Sequence, residues 1–234
     1  MRTCYRGLRR WLGLKGRPQP TLPRPAFWHD VSFAQIQQDR WVIAETGNKR
    51  GGFFVEIGAF DGKNLSNSYL LEEQFGWYGI LAEPNPTLSE QIRSIRSSPL
   101  CTKPVDATTG REVTMLFVDH APEYSAMADR AFNDAHATLR KKSGTEVVQT
   151  TISLNDLLAQ HRAPNDIDFM SIDTEGNELD ILSTFDVDRY RVRLMCVEHN
   201  FTDANERLDE MMIGRGYERV HREWSRFDAW YRQK

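Results

Sequence analysis

One pattern constrains this chain more than any other: short apolar runs that close on an acidic residue, separated by segments of helical periodicity. It is clearest in Gly52-Phe53-Phe54-Val55-Glu56-Ile57-Gly58-Ala59-Phe60-Asp61-Gly62-Lys63-Asn64, where a strand-like run enters a Gly-x-x-x-Gly loop and then a helical segment. Strand, glycine loop and helix in that order bring backbone N–H groups and a helix N-terminus close to a ligand. Glycine at 58 and 62 is read as leaving room for that approach. The same order opens many nucleotide-binding α/β domains, so the loop alone names no cofactor.

The pattern recurs. Strands are expected over 53–57, 80–82, 101–105, 113–118, 147–152, 167–172 and 194–197, with helices over 32–44, 66–75, 85–96, 178–185 and 203–214. A further helix starts after Ser153, which is placed to cap it. Alternating strands and helices argue for an α/β fold with a mostly parallel sheet and crossover helices. Strands over 217–220 and 227–231 read as an antiparallel edge pair. The 113–118 strand is expected to pair with its neighbour through a turn at Gly110. The polar stretch 119–144 reads as a lid or substrate loop, carrying Tyr124, Ser125 and His136.

Composition bounds the rest. At 234 residues, 40% hydrophobic and 27% charged, the chain suits one globular domain with a short extension. Seven basic residues and no acids precede Asp30, whereas the remainder carries 23 basic against 33 acidic side chains. Residues 1–26 therefore read as a basic, proline-rich arm and 27–234 as the folded domain. The arm suits weak peripheral contact with an anionic membrane, or else a frayed terminus. An acidic body argues against a nucleic-acid partner. Cys4, Cys101 and Cys196 lack metal-site spacing and read as free thiols of a cytoplasmic protein.

Ligands of parallel sheets sit beyond the carboxyl ends of the strands. Glu56, Glu83, Asp106, Asp173 and Glu198 all fall there. Such a set repels itself unless cations or hydroxyl donors lie between its members. Glu83 suits both hydroxyls of a ribose, and Asp106 suits an adenine amino group. The loop departs from GxGxxG, and acids repel pyrophosphate, so a sulfonium cofactor fits better than NAD.

Glu56-Ile-Gly-Ala-Phe-Asp-Gly62, Gly76-Trp77-Tyr-Gly-Ile-Leu-Ala-Glu83-Pro84-Asn85-Pro86 and Ser171-Ile-Asp173-Thr-Glu175-Gly-Asn-Glu178 resemble the FkbM family of methyltransferases. Ser66-Asn67-Ser68 and Cys196-Val-Glu198-His199-Asn200 are similar to it too, and the match spans about residues 50–232. The resemblance implies a class I, Rossmann-like methyltransferase fold using S-adenosyl-L-methionine. It implies O-methylation of a hydroxyl on a sugar, glycan or polyketide-like acceptor. Expected cofactor contacts are Glu56, Gly58, Ala59, Asp61, Gly62, Asn67, Glu83, Pro84, Asp106 and Ala107. Asp173, Glu198 and His199 are expected to hold Mg²⁺ or another divalent cation, or else to serve the cofactor amine and cap helices. His199 would act as ligand or base, Asp173 is counted with it among the catalytic residues, and Glu175 would either orient the acceptor or stabilise the following helix. The competing reading is an inactive methyltransferase fold kept for binding or regulation.

Overall fold

The structure is a computed structural model, and it describes residues 25–118, 121–129, 138 and 142–234. The basic arm up to residue 24, His136 and half of the expected lid lie outside the described residues. In chain order the elements are α1 (Gln38–Glu45), β1 (Phe53–Ile57), α2 (Tyr69–Phe75), β2 (Tyr78–Ala82), α3 (Ser89–Ile95), β3 (Leu100–Cys101) and β4 (Val105–Asp106). There follow β5 (Glu112–Val118), a 3₁₀ turn (Pro122–Tyr124), β6 (Ala126–Met127), β7 (Gly144–Thr150), β8 (Ile152–Ser153) and α4 (Leu154–Gln160). The chain closes with β9 (Asp166–Ile172), α5 (Glu178–Ser183), β10 (Arg191–Glu198), α6 (Ala204–Gly214), β11 (Tyr217–Val220), α7 (Arg222–Ser225) and β12 (Asp228–Gln233).

Seven strands form the main sheet in the order β11-β12-β10-β9-β1-β2-β3. β12 runs antiparallel to both neighbours, while β10, β9, β1, β2 and β3 are mutually parallel. A mostly parallel sheet with an antiparallel C-terminal strand is the architecture that the resemblance implies. Strand alternation divides the core into two layers. Val55, Ile57, Met170, Met195 and Val197 face one side, where Leu157, Ile181 and Leu208 of α4, α5 and α6 cover them. Phe54, Phe169, Leu194 and Trp230 face the other, beneath Trp41, Leu70 and Ile92 of α1, α2 and α3. Burying each such side chain stabilises the sheet by about 1.5–3 kcal/mol. Trp41 stacks on Trp230 at 5.0 Å between ring centroids, tying α1 to β12.

Several boundaries differ from those expected, each for a physical reason. α1 starts at Gln38 because Gln37 is left-handed (φ 74°) and the preceding loop folds back onto Asp39, which accepts from Ser32 Oγ and the Phe33 N–H. α2 starts at Tyr69 because Ser66, Asn67 and Ser68 are drawn across to Glu56. The expected third strand is two: β3 pairs with β2, and β4 pairs with β8 in a separate two-stranded sheet. β5 pairs with β7 and β6 in a three-stranded sheet. The closing strands form the expected antiparallel edge pair, with β12 next to β10 and β11 outermost.

Gly58 fixes how β1 meets β9. It is left-handed (φ +86°), and a Cβ there would lie 1.9 Å from the carbonyl oxygen of Asp173. The clash is with protein backbone, so this glycine is required by the fold as well as by any ligand. Gly58→Ala is expected to cost about 3 kcal/mol or more, seen in thermal unfolding as a drop of roughly 6–12 °C. An unchanged melting temperature would show that the two loops part easily.

Candidate functional site

A cavity opens at the carboxyl ends of β1, β2, β9 and β10. Its floor comes from the loop after β1 (Gly58, Ala59, Phe60), and one wall from Glu83 and Pro84 after β2. Lys103, Pro104 and Val105 border it before β4, and Met115 and Met127 approach from the three-stranded sheet. Asp173, Thr174, Glu175 and Asn177 after β9 complete the wall with Glu198, Asn200 and Phe201 of β10 and its following turn.

The loop holding the cavity floor is built around a buried carboxylate. Glu56, 2% exposed, accepts from Ser66 Oγ at 2.9 Å, the Asn67 N–H at 2.6 Å and Ser68 Oγ at 2.5 Å. Arg96 lies 3.5 Å away and also bonds Ser68 Oγ, the Gly62 carbonyl and Glu72. Glu178 performs the same service after β9: its Oε1 accepts from the N–H and hydroxyl of Thr174 and from the Gly176 N–H.

Glu83 is differently disposed. One oxygen accepts from the Phe60 N–H at 2.9 Å and the other from the Asn85 N–H at 2.8 Å. Each therefore keeps acceptor capacity for a second donor. Burial raises its carboxyl to about 7 despite those two bonds. Asp173 is also raised to about 7, first by burial and then by the charges of Asp228 and Glu178. Burial, followed by the charge of Asp173, drives Glu198 well above the ordinary carboxylate range. Carboxylate oxygens of Asp173, Glu175 and Glu198 can all be found within 4.8 Å of one another, a spacing that fits a hard divalent cation.

Three buried oxygens lack a protein partner here: Glu198 Oε2, Asn67 Oδ1 and Asn177 Oδ1. The amides are oriented by their other ends, Asn67 Nδ2 donating to Ser171 Oγ and Asn177 Nδ2 to the Val105 carbonyl. An acceptor left bare in a protein interior costs about 1–3 kcal/mol, so these atoms await a donor. Backbone strain gathers in the same place. Phe60, Leu65, Glu175, Asn200 and Phe201 all line the cavity with φ between 46° and 61°, conformations that cost about 1–3 kcal/mol each and cluster at ligand clamps.

Of the cofactor contacts expected from sequence, Gly58, Ala59, Asn67, Glu83 and Pro84 line the cavity. The others do not line it. Glu56 is committed to its loop, and Asp61 accepts from the N–H groups of Lys63 and Asn64 and from the Asn64 amide. Gly62 faces Ile92 and Arg96, and Ala107 gives its carbonyl to Thr184. Asp106 is bonded by Arg111 at 2.7 Å and by Asn177; burial opposes its ionisation, but these partners hold its carboxyl below the usual range. An adenine amino group thus finds it already engaged.

Asp173, Glu175 and Glu198 do come together, but His199 does not join them as ligand or base. Its Nδ1 accepts from the Phe201 N–H at 3.1 Å, and its Nε2 lies 3.1 Å from the Asp228 carbonyl. Those partners require the neutral ring with its proton on Nε2, in keeping with a basicity lowered by burial and by Arg219. Sequence reasoning named neither Asn177 nor Asn200 as site residues, although both sit inside the family-like motifs. Phe60 also sits in such a motif and was not named, and nothing in the sequence marked Leu65 or Phe201.

Among solved structures, the METTL16 methyltransferase domain is similar at 14% identity and a TM-score of 0.44, covering 84% of this chain. The chain spans 65% of that protein's length. A human methyltransferase 10 domain containing protein is similar at 12% identity and a TM-score of 0.39, over 96% of this chain and 90% of its own. No curated protein matches the chain. The model of the methyltransferase FkbM domain matches residues 56–219. With the strand order and the glycine loop already in place, that match is decisive: the chain belongs to the FkbM family of methyltransferases.

Proposed function

We propose that this methyltransferase moves the methyl group of S-adenosylmethionine to a hydroxyl oxygen of a sugar, glycan or related small molecule. The observation that carries the reading is the polarity of the cavity. Among the described residues its lining offers Glu83, Asp173, Glu175, Glu198 and the bare carbonyl oxygens of Asn67 and Asn177, against one cationic side chain, Lys103. A ligand that is itself cationic and rich in hydroxyl donors suits such walls; a pyrophosphate does not. Glu83 takes the two ribose hydroxyls on its open lone pairs. The carboxylates after β9 and β10 face the ammonium and sulfonium charges.

Transfer is an in-line displacement. S-adenosylmethionine, when bound, would supply an electrophilic methyl carbon whose departing sulfur keeps the bond's electron pair, and Asp173 would take the proton of the attacking hydroxyl. A carboxylate with its proton affinity raised toward neutrality is a better base than an ordinary one. A divalent cation held by Asp173, Glu175 and Glu198 would acidify the acceptor hydroxyl. The buried free thiols Cys101 and Cys196 suit a reducing compartment, in line with a cytoplasmic enzyme. No helix among the described residues is long and apolar enough to cross a membrane.

Calorimetric titration with S-adenosylhomocysteine tests the cofactor. Binding is expected in the wild type and about 10–100-fold weaker in Glu83→Gln; NADH binding instead would sink the reading. For the chemistry, Asp173→Asn is expected to lower methyl transfer by about 10²–10⁴-fold. The wild-type rate should rise with pH as Asp173 ionises, with a midpoint above the ordinary carboxylate range but below 7, because burial raises the carboxyl and a cationic cofactor beside it lowers it again. A profile flat from pH 4 to 7 would remove Asp173 as base. Binding without turnover on any hydroxyl acceptor would favour a regulatory module.

A further inference from the structure

The turn after β10 carries a feature that cofactor binding does not use. Phe201 is 74% exposed, yet it lines the cavity. An aromatic ring at the lip of a cavity offers a flat apolar face to whatever enters it. Its backbone is left-handed (φ 58°), directly after another left-handed residue, Asn200 (φ 46°).

Several hydrogen bonds enforce this conformation. The N–H groups of His199 and Asn200 both donate to the Phe227 carbonyl, and the N–H and hydroxyl of Thr202 both donate to the His199 carbonyl. His199 Nδ1 accepts the Phe201 N–H, and the two rings meet edge to face at 5.8 Å. Leu65, on the loop after β1, repeats the theme: 40% exposed, left-handed (φ 61°) and lining the same cavity. The carboxamides of Gln35 and Asn200 share that lining.

We infer that Phe201 and Leu65 form the acceptor-binding mouth of the site, gripping the apolar C–H face of a pyranoside ring, and that His199 is the positioning residue that holds Phe201 in place. Gln35 and Asn200 serve the ring hydroxyls. The inference rests on the methyl-transfer reading for the class of acceptor, and it adds which residues select that acceptor. It gives His199 a role, since a hydrogen-bond acceptor at Nδ1 fixes the Phe201 backbone while the imidazole itself never meets substrate.

The test is saturation-transfer NMR on the full chain loaded with S-adenosylhomocysteine. The probes are methyl α-D-mannopyranoside, methyl α-L-rhamnopyranoside and 4-nitrophenyl β-D-glucopyranoside. Transfer is expected on the ring C–H protons of at least one glycoside, falling about fivefold in Phe201→Ala and in Leu65→Ala and surviving in Phe201→Tyr. His199→Leu should lose it, while His199→Asn, whose side-chain oxygen can replace Nδ1, should recover it; affinity for S-adenosylhomocysteine should stay constant throughout. Equal transfer in wild type and Phe201→Ala overturns the inference. So does the absence of transfer from all three glycosides in loaded wild-type protein. Failure of S-adenosylhomocysteine to bind strikes the cofactor reading instead, and the glycoside contact is then read on the free protein.

Discussion

The carboxylate of Glu56 is the constraint on which the rest of the site depends. It sits within a strand whose five residues are all buried, where an uncompensated charge is prohibitive. The chain answers by bringing three donors from Ser66, Asn67 and Ser68, and by burying Arg96 beside it. Arg96 in turn grips Glu72 and the Gly62 carbonyl, so β1, its loop, α2 and α3 are locked through one charge. Removing a partner from a buried ion pair of this kind costs about 3–5 kcal/mol. The locked loop then presents the Phe60 N–H to Glu83, so a structural carboxylate orients a ligand-facing one.

The acids of this sheet edge therefore divide in two. Glu56 and Asp61 are bonded through both oxygens, Asp106 is held by Arg111 and Asn177, and Glu178 takes three donors on one oxygen; these four act as clamps. Glu83, Asp173 and Glu198 have acceptor capacity to spare, and burial makes each reluctant to ionise. A cation entering among them relieves both their desolvation and their mutual repulsion. The left-handed residues around the rim fit this picture, because preformed strain spares the ligand the work of shaping its own site.

The central strands were legible because they are buried on both faces, which turns each into a short, nearly unbroken apolar run such as Phe53–Ile57 or the Leu194-Met195-Cys196-Val197 part of β10. Helix starts were harder to read. Ser66-Asn67-Ser68 looks like the beginning of a helix, yet its polar groups serve a carboxylate ten or more positions earlier. Strand-end acids pointed to the right edge of the sheet, but not to which acids face the cavity. That depends on parity and on packing: Glu56 lies inside β1, whereas Glu83 follows β2, and His199 turns to the Asp228 carbonyl on β12 while its neighbour Glu198 faces the cavity. A cross-strand partner 29 residues away leaves no local trace in the sequence.

The insertion of β12 between β10 and β11 has a kinetic consequence. The five-stranded parallel half can assemble from successive strand–helix–strand units, but β10 then presents an unpaired edge bearing Leu194, Met195, Cys196 and Val197. That edge is satisfied only when the β11–β12 hairpin docks as one piece, with the Trp230 ring meeting Trp41 on the way in. Until then the chain carries an apolar strand edge open to pairing with other chains. Folding yield should accordingly be set by a race between intramolecular hairpin docking, independent of concentration, and intermolecular edge pairing, which grows with it.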